Sequence, residues 1–249
     1  MHLLEKYSLN CGINPLKLDK AELFSSYYPI PFDKYIVFHA SSGMPAKNYS
    51  YYQDVVDFIY ESATKNGYGL IQIGGAGDKN LNKCLNLNGK TNLFQTSFVL
   101  KNASLLIAND SFSTHVCSSY EIPSISLYSV IQPEVAGPYW NNGKQLTIMA
   151  PLNGNKPSYS KEDPERVVDN IKPEQIIEKI KILLPDLLNK RFSIPETLAA
   201  TAVAFVIGYI VIAWLLKFVA TRSFMPFIVY RVILGSALLV LLATGVISA

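Results

Sequence analysis

The sequence predicts an α/β domain with a parallel sheet, followed by two apolar helices that form a transmembrane hairpin. Two observations support this expectation. In the first part of the chain, short apolar runs alternate with segments of helical spacing and with turns rich in Gly and Asn. After residue 196 the chain becomes almost purely apolar, in two stretches that are each long enough to cross a bilayer.

Charge is divided unevenly between these two parts. All 19 acidic residues and 19 of the 22 basic residues precede Thr197, so the net charge of +3 belongs to Lys217, Arg222 and Arg231. The neutral first part lacks the dense basic patch of a nucleic-acid binder, so no nucleic-acid partner is expected. The length of 249 residues excludes a small disulfide scaffold, and three scattered cysteines indicate reduced thiols in a cytosolic domain.

The elements of the first part follow in order. Met1–Tyr7 has a short helical pattern, and the apolar run Tyr35–Phe38 predicts the first strand. Tyr51–Lys65 has helical spacing with Ser50 as its N-cap, and Asn66 with Gly67 ends it. Further strands are predicted at Gly69–Ile73, Leu105–Ala108, Ser124–Tyr128 and Leu146–Met149, and further helices at Leu93–Lys101, Ser113–Tyr120 and from Pro173 to about Leu184.

The pattern predicts four segments: 1–34 as a helical lead-in, 35–187 as the α/β domain, 188–196 as a junction and 197–249 as the hairpin. Its spans are expected at about 198–216 and 224–247. Arg231, about two turns into the second span, either snorkels to the headgroups or faces a polar interior that other helices supply. Comparable basic clusters flank the first span on both sides, so charge does not set the membrane orientation.

Three polar loops follow predicted strands, where parallel sheets place their binding crevices. The first loop contains Ser41, Ser42 and Lys47, whose hydroxyls and ammonium group suit an anion, although an ordinary polar loop has the same composition. The second contains Gly74 and Gly75, which fit either a close approach to a ligand or a plain tight turn.

The third loop begins at Asp110 and Ser111 and continues into a helix that carries His115. Either residue can cap that helix, whose free N–H groups and dipole favour an anion. The alternative is a purely structural cap with a surface histidine. A hydrolase triad is not expected, because Ser111 lacks a G-x-S-x-G elbow. No metal site is expected either, because the histidines and cysteines have no ligand spacing.

The order of these loops resembles the C-terminal half of glycosyltransferase family 9, the lipopolysaccharide heptosyltransferase family, over roughly residues 35–184. The likeness lies in HASS with KNY, GG, NGKT, NDS with a following His, IP and the late IKPEQI. The resemblance implies a Rossmann-like sheet that is one half of a GT-B fold. It also implies a nucleotide-sugar donor as the ligand, a glycan or lipid-linked acceptor as its partner, and no cofactor.

The same resemblance assigns roles to the loop residues. Ser41, Ser42 and Lys47 contact the donor diphosphate, and the Gly74–Gly75 loop lies close to the nucleoside. A further group lies beside the donor sugar and phosphates: Asp110, Ser111 and His115.

Three departures from the family pattern are visible. Phe112 stands where the family usually has glycine, which could crowd the phosphate approach, and Tyr49 replaces a tryptophan. The N-terminal acceptor domain, with the aspartate expected as general base, is missing from this sequence. We therefore expect an incomplete catalyst, either paired with a separate acceptor domain or acting as a non-catalytic nucleotide-sugar-binding module, and no catalytic residue is assigned.

The tail, about residues 197–249, resembles the C-terminal end of bacterial undecaprenyl-diphosphatase, with the likeness in SFMPF, YR and LG. That family's catalytic motifs lie on earlier segments and have no counterpart here, so a diphosphatase fragment is the alternative function. The tail predicts the cytoplasmic membrane of a bacterium, with the donor-binding domain on the cytoplasmic side. Seventeen asparagines precede Glu196 and none follows it, which we interpret as a natural fusion or an artefactual join near the junction.

Overall fold

A computed structural model of the protein describes residues 1–14, 19–154, 166–188, 194–221 and 225–243. The chain divides into two compact units, Met1–Lys190 and Arg191–Ala249. Most of the predicted junction and both ends of the second predicted span lie outside the described residues.

The first unit is built on a six-stranded parallel sheet with the strand order β3-β2-β1-β4-β5-β6. The expectation of a parallel α/β sheet is confirmed. The strands are β1 (Lys34–His39), β2 (Tyr68–Gln72), β3 (Leu85–Asn86), β4 (Leu105–Asn109), β5 (Ser124–Tyr128) and β6 (Gln145–Met149).

Helices cover both faces of the sheet. The helices of the first unit are α1 (Leu3–Asn10), α2 (Tyr52–Lys65), α3 (Leu93–Lys101), α4 (Phe112–Tyr120), α5 (Pro133–Ala136), α6 (Pro173–Leu183) and α7 (Pro185–Leu188). Short 3-10 turns lie at Pro45–Lys47 and Val167–Asn170. Three short elements, β3, α5 and α7, have too few residues to produce a recognisable period and were not predicted.

Successive side chains of β1 point to opposite faces of the sheet and belong to two separate hydrophobic cores. Ile36 and Phe38 pack with α2, α6 and α7 on one face, whereas Tyr35 and Val37 pack with α3 and α4 on the other. All four side chains are buried, as expected for a strand in a parallel sheet covered on both faces. This burial explains why the strand reads as an unbroken apolar run.

Helix α6 belongs to the core of the first unit. Its Ile176 and Ile180 side chains are fully buried with α2 residues, and Leu187 of α7 joins the same cluster. Pro173 is the first residue of this helix, as predicted.

The N-terminal lead-in is helical only over α1. After the undescribed residues 15–18 it runs without regular structure and lies against the sheet's helices. Tyr120 Oη donates to the Leu23 carbonyl (2.9 Å), and Ser26 N donates to the Phe94 carbonyl (3.1 Å).

One capping prediction is wrong. Tyr51, not Ser50, is the N-cap of α2, and it makes no side-chain capping bond. Ser50 instead binds Asp169, with its backbone N and Oγ 2.8 and 2.7 Å from the two carboxylate oxygens. A tertiary partner therefore takes the hydroxyl that a local cap would use.

The second unit contains α8 (Ile194–Thr221) and α9 (Met225–Ala243). Within the described residues, one helix is long and apolar enough to cross a membrane, through the window Thr201–Phe218. This window has a mean hydropathy of 2.1, and none of its residues is buried. The predicted hairpin of two spanning helices is therefore not confirmed.

Candidate functional site

The strand order reverses direction between β1 and β4, at the centre of the sheet. The loops that follow these two strands leave the same edge on opposite sides, which opens a crevice there. The first loop is Ala40–Tyr51, and the second is Asp110–Ser111, which leads into α4. Two of the three predicted ligand loops are thus brought together by the topology.

A salt bridge joins the two loops. Lys47 Nζ lies 2.5 Å from Asp110 Oδ2, and the two side chains are only 17% and 9% exposed. Because Asp110 is engaged by Lys47, it does not cap α4. Ser111, one of the two predicted candidates, occupies the N-cap position of α4 but makes no side-chain capping bond, so only the predicted position of the cap is confirmed.

Asn109, the last residue of β4, anchors the first loop from below. Its Nδ2 donates to the Ala40 carbonyl (2.8 Å), and its Oδ1 accepts from Tyr52 Oη (2.9 Å) at the start of α2. Asn109 is fully buried. Asn109 begins the NDS motif quoted above but was not assigned a binding role from the sequence.

Ser41 and Ser42 differ in their surroundings. Ser42 is held inside its own loop, since its backbone N donates to Asn48 Oδ1 (2.7 Å) and its Oγ donates to the Met44 carbonyl (2.9 Å). Ser41 is half-buried and lines a neighbouring cavity. Ser41 is therefore the serine of this pair that lines the cavity.

Ser111 forms a triangle of polar atoms with two buried residues. Its Oγ lies 3.0 Å from His39 Nδ1 and 2.9 Å from Ser113 Oγ, and the latter two atoms are 2.9 Å apart. His39 ends β1 and Ser113 lies in the first turn of α4, so this triangle also spans the crevice. Burial lowers the pKa of His39 to about 4, against a smaller upward effect of Asp78, so the ring is neutral at physiological pH.

His115 lies in the first turn of α4 with its side chain exposed. Its pKa is lowered mainly by desolvation, while the Asp110 carboxylate raises it and His2 and Lys47 lower it.

Gly74 and Gly75 follow β2, the neighbouring strand. Asp78 Oδ2 accepts a 2.6 Å hydrogen bond from Gly75 N, and a Cβ on Gly74 would lie 2.3 Å from that oxygen. A side chain at Gly74 would therefore displace the Asp78 carboxylate, a contact within the loop that leaves the two explanations offered from the sequence, a ligand approach or a tight turn, untested. Asp78, which follows these glycines in the same loop, was not among the site residues predicted from the sequence.

A cavity of about 500 Å³ lies between this loop and the first one. Its wall includes Ser41, Asp78, Lys79 and Arg166, whose guanidinium donates to the Asn48 carbonyl (3.0 Å). Arg166 comes from a distant part of the chain, so no local pattern signals its presence. In the described part of the chain, no group of three His, Cys, Asp or Glu side chains could hold a metal ion.

Phe112 takes the position where crowding was expected. Its ring makes an edge contact with His39, with the centroids 5.4 Å apart, and the side chain is 43% exposed. It lines an apolar groove together with Phe24, Phe94 and Val116.

Two family models match the chain. Glycosyltransferase family 9 (heptosyltransferase) matches residues 14–168, and bacitracin resistance protein BacA matches residues 174–237. Both resemblances predicted from the sequence are confirmed. The second match begins within α6, whereas the structure places α6 in the core of the first unit.

The curated relatives match the second part of the chain. Undecaprenyl-diphosphatase of Pseudarthrobacter chlorophenolicus is 51% identical over 69 residues, which is 28% of this chain and 25% of the relative. The enzyme of Micrococcus luteus is 57% identical over 58 residues, 23% of this chain and 21% of the relative. The chain thus spans about a quarter of the length of these relatives.

Similar solved structures match the first part. A glycosyltransferase family 9 protein from Veillonella parvula has a TM-score of 0.50 and 22% identity, covering 64% of this chain and 48% of that one. The iron-containing dodecameric glycosyltransferase TibC of enterotoxigenic E. coli has a TM-score of 0.54 and 16% identity, covering 71% and 51%. At these identities the likeness shows the fold alone, and the chain spans about half of each structure.

Proposed function

The chain belongs to glycosyltransferase family 9, and on that premise we propose that its α/β unit binds a nucleotide-sugar donor at the crevice between β1 and β4. The sugar would be transferred to a cell-envelope glycan or lipopolysaccharide acceptor. The observation that supports this proposal best is the Lys47–Asp110 pair, which puts a cation at the switch point of the sheet, next to the first turn of α4.

We assign the diphosphate to Lys47, Ser41 and Ser42. Lys47 supplies the positive charge, and the half-buried Ser41 supplies a hydroxyl, whereas Ser42 contributes through the loop that its hydrogen bonds hold in shape. A departing nucleoside diphosphate gains negative charge as the bond to the sugar breaks. A lysine and helix-end N–H groups that are already in place stabilise this charge without reorganisation.

The other predicted ligand-binding residues are assigned to the sugar and the nucleoside. Asp110, Ser111 and His115 lie at the start of α4 and would contact the donor sugar and phosphates. Gly74 and Gly75 would lie close to the nucleoside, with the cavity beside them in the size range of small-molecule sites. We also assign Asp78 to the nucleoside. Its carboxylate is held by the Gly75 N–H and would be a good acceptor for ribose hydroxyls.

Transfer needs a second domain. The chain spans about half of the solved glycosyltransferases that it resembles, and we propose that an acceptor domain, on this protein or on a partner, supplies the general base. The α/β unit by itself would bind the donor but not turn it over. The non-catalytic alternative is a nucleotide-sugar-binding module that never meets an acceptor domain.

The second unit would anchor the protein in a bacterial membrane through two helices, at about 198–216 and 224–247. Its identity to undecaprenyl-diphosphatases and the apolar window in α8 support this part of the proposal. Nucleotide sugars are made in the cytosol, so the donor-binding unit would lie on the cytoplasmic side. The identity of more than half over this segment also supports a second candidate, a fragment of a membrane diphosphatase.

Calorimetric titration of the full chain in detergent tests donor binding. ADP is the first probe, because TibC has been solved with ADP-D-beta-D-heptose, and GDP, UDP and CDP follow. We expect saturable binding of one nucleoside diphosphate, lost in Lys47→Ala and kept in Lys65→Ala, an exposed lysine at the far end of α2. Hydrolysis of undecaprenyl diphosphate without any nucleotide binding would instead support the diphosphatase fragment.

Turnover is tested separately by adding an acceptor domain of the same family together with a sugar acceptor. Transfer in the mixture, and its loss in Lys47→Ala, would support the enzymatic function. Donor binding without turnover in any pairing would leave the non-catalytic module.

A further inference from the structure

The three polar atoms in the triangle of His39, Ser111 and Ser113 can form hydrogen bonds with one another in more than one arrangement. Its three sides measure 2.9 to 3.0 Å, so each side can hold one hydrogen bond. Each serine brings one hydrogen, and the neutral imidazole brings either a hydrogen or a lone pair at Nδ1, according to its tautomer. The tautomer of His39 therefore controls how the two hydroxyl hydrogens are distributed.

The two serines of the triangle differ in their exposure to solvent. Ser113 is fully buried and His39 is 6% exposed, whereas Ser111 is half-buried at the rim of the crevice. A buried hydroxyl that leaves its hydrogen unpaired loses free energy, so the Ser113 hydrogen stays inside the triangle.

Two arrangements follow. When Nδ1 carries the hydrogen, the ring is a donor on this side, and Ser113 can only donate to Ser111 Oγ. The Ser111 hydrogen then has no acceptor inside the triangle and points out into the crevice. When Nδ1 carries a lone pair, it becomes an acceptor that competes with any ligand for the Ser111 hydrogen.

We propose that His39 is a positioning residue, whose Nδ1–H tautomer directs the Ser111 hydroxyl hydrogen towards a phosphate oxygen of the bound donor. The inference rests on the proposed function, because it takes the donor diphosphate as the acceptor of that hydrogen. His39 itself does not touch the ligand, and it acts only through Ser111. An anionic acceptor makes this the stronger kind of hydrogen bond.

Nitrogen NMR reads the tautomer directly. The chain has three histidines, so ¹⁵N-histidine labelling of the full chain gives a short spectrum, in which the signals lost in His39→Asn identify His39. In protein saturated with ADP, we expect Nδ1 of His39 to carry the hydrogen and Nε2 to carry none. An ADP-bound protein whose His39 is protonated only at Nε2 would overturn the inference.

A matched pair of variants tests the same point by affinity. The amide nitrogen of asparagine can lie near the position of Nδ1, whereas that of glutamine reaches the position of Nε2. His39→Asn should therefore keep ADP affinity within about threefold, and His39→Gln should weaken it about tenfold, the size of a hydrogen bond to a charged group. Equal losses in both variants would contradict the inference.

A double-mutant cycle separates positioning from a general structural role. Ser111→Ala should weaken ADP binding about tenfold, and adding His39→Gln to it should change the affinity by less than about twofold, because the residue through which His39 acts is gone. Additive losses would show that His39 acts independently of Ser111. If wild-type protein binds neither ADP nor the other nucleoside diphosphates, the proposed function itself fails. Binding with an additive cycle refutes only the role of His39.

Discussion

Lys47 and Asp110 meet across the point where the strand order of the sheet reverses, with Nζ and Oδ2 2.5 Å apart. The two residues are 63 positions apart in sequence and are little exposed. Their contact joins the two loops that border the crevice, so a bound diphosphate would share or replace the Asp110 carboxylate as the partner of the lysine.

The pair should couple in stability. Lys47→Met leaves the Asp110 carboxylate poorly hydrated and without its cation, and should lower the free energy of unfolding by about 2 kcal/mol, less than for a fully buried pair. Adding Asp110→Asn removes the stranded charge and should restore part of this loss. Chemical denaturation followed by Trp140 fluorescence in a Trp214→Phe background measures both. Equal stability of the single and double variants would contradict the coupling.

Two glycines after β2 should differ sharply in how far substitution by alanine lowers the stability of the protein. Gly74→Ala places a Cβ 2.3 Å from Asp78 Oδ2, so the carboxylate must leave Gly75 N, and we expect a loss of about 1–3 kcal/mol in stability. Gly77→Ala is the matched control, because no atom lies within 4 Å of its Cβ and it should change stability by less than about 0.5 kcal/mol. Thermal unfolding compares them, and similar stabilities would contradict the close approach.

Stability should depend on pH through His39. Its pKa is lowered from 6.5 to about 4 by burial, so between these values the unfolded chain binds the proton and the folded protein does not. Stability is therefore full above about pH 6.5 and falls as the pH drops towards 4, by up to about 3 kcal/mol. Denaturation of wild type and His39→Asn across this window should give a steeper slope for the wild type. Parallel curves would exclude this contribution.

Helix α6 should stabilise the α/β unit, although the BacA family match begins within it. Ile180→Ala empties a fully buried position and should cost about 2–5 kcal/mol, whereas Ile182→Ala, 64% exposed on the same helix, should cost less than about 0.5 kcal/mol. Denaturation monitored at Trp140 distinguishes the two. Indifference to Ile180→Ala would mean that the unit does not depend on α6.

The apolar window of α8 should insert into a bilayer. Ile210→Arg puts a charge near its middle and should cost about 3 kcal/mol of insertion free energy, whereas Ala202→Arg, near its end, should cost less because the side chain reaches the headgroups. Resistance of the chain to alkaline extraction from membranes measures insertion. Full retention of the Ile210→Arg protein would argue against a spanning α8.

Local patterns were sufficient for most of the sheet and its helices. The strand at Ser124–Tyr128 and the helix at Leu93–Lys101 were predicted with their observed bounds, because apolar runs and helical spacing depend on nearby residues alone. The Ser50 cap failed for the opposite reason, since its hydroxyl is taken by Asp169, which lies 119 residues away.

The sequence by itself determined a neutral parallel α/β domain, an apolar tail, and polar loops after β1, β2 and β4, in which we predict the ligand-binding side chains. Composition and periodicity contain this information, because the burial of apolar side chains produces a pattern that is visible within each short segment of sequence. Only the tertiary structure decided which side chains meet. In the structure Lys47 forms an ion pair with Asp110, and the Asp78 carboxylate accepts a hydrogen bond from Gly75 N. The Ser111 hydroxyl lies within hydrogen-bond distance of His39 and Ser113. Each of these contacts joins atoms whose distance is set by strand order and loop path, and no local pattern encodes that distance.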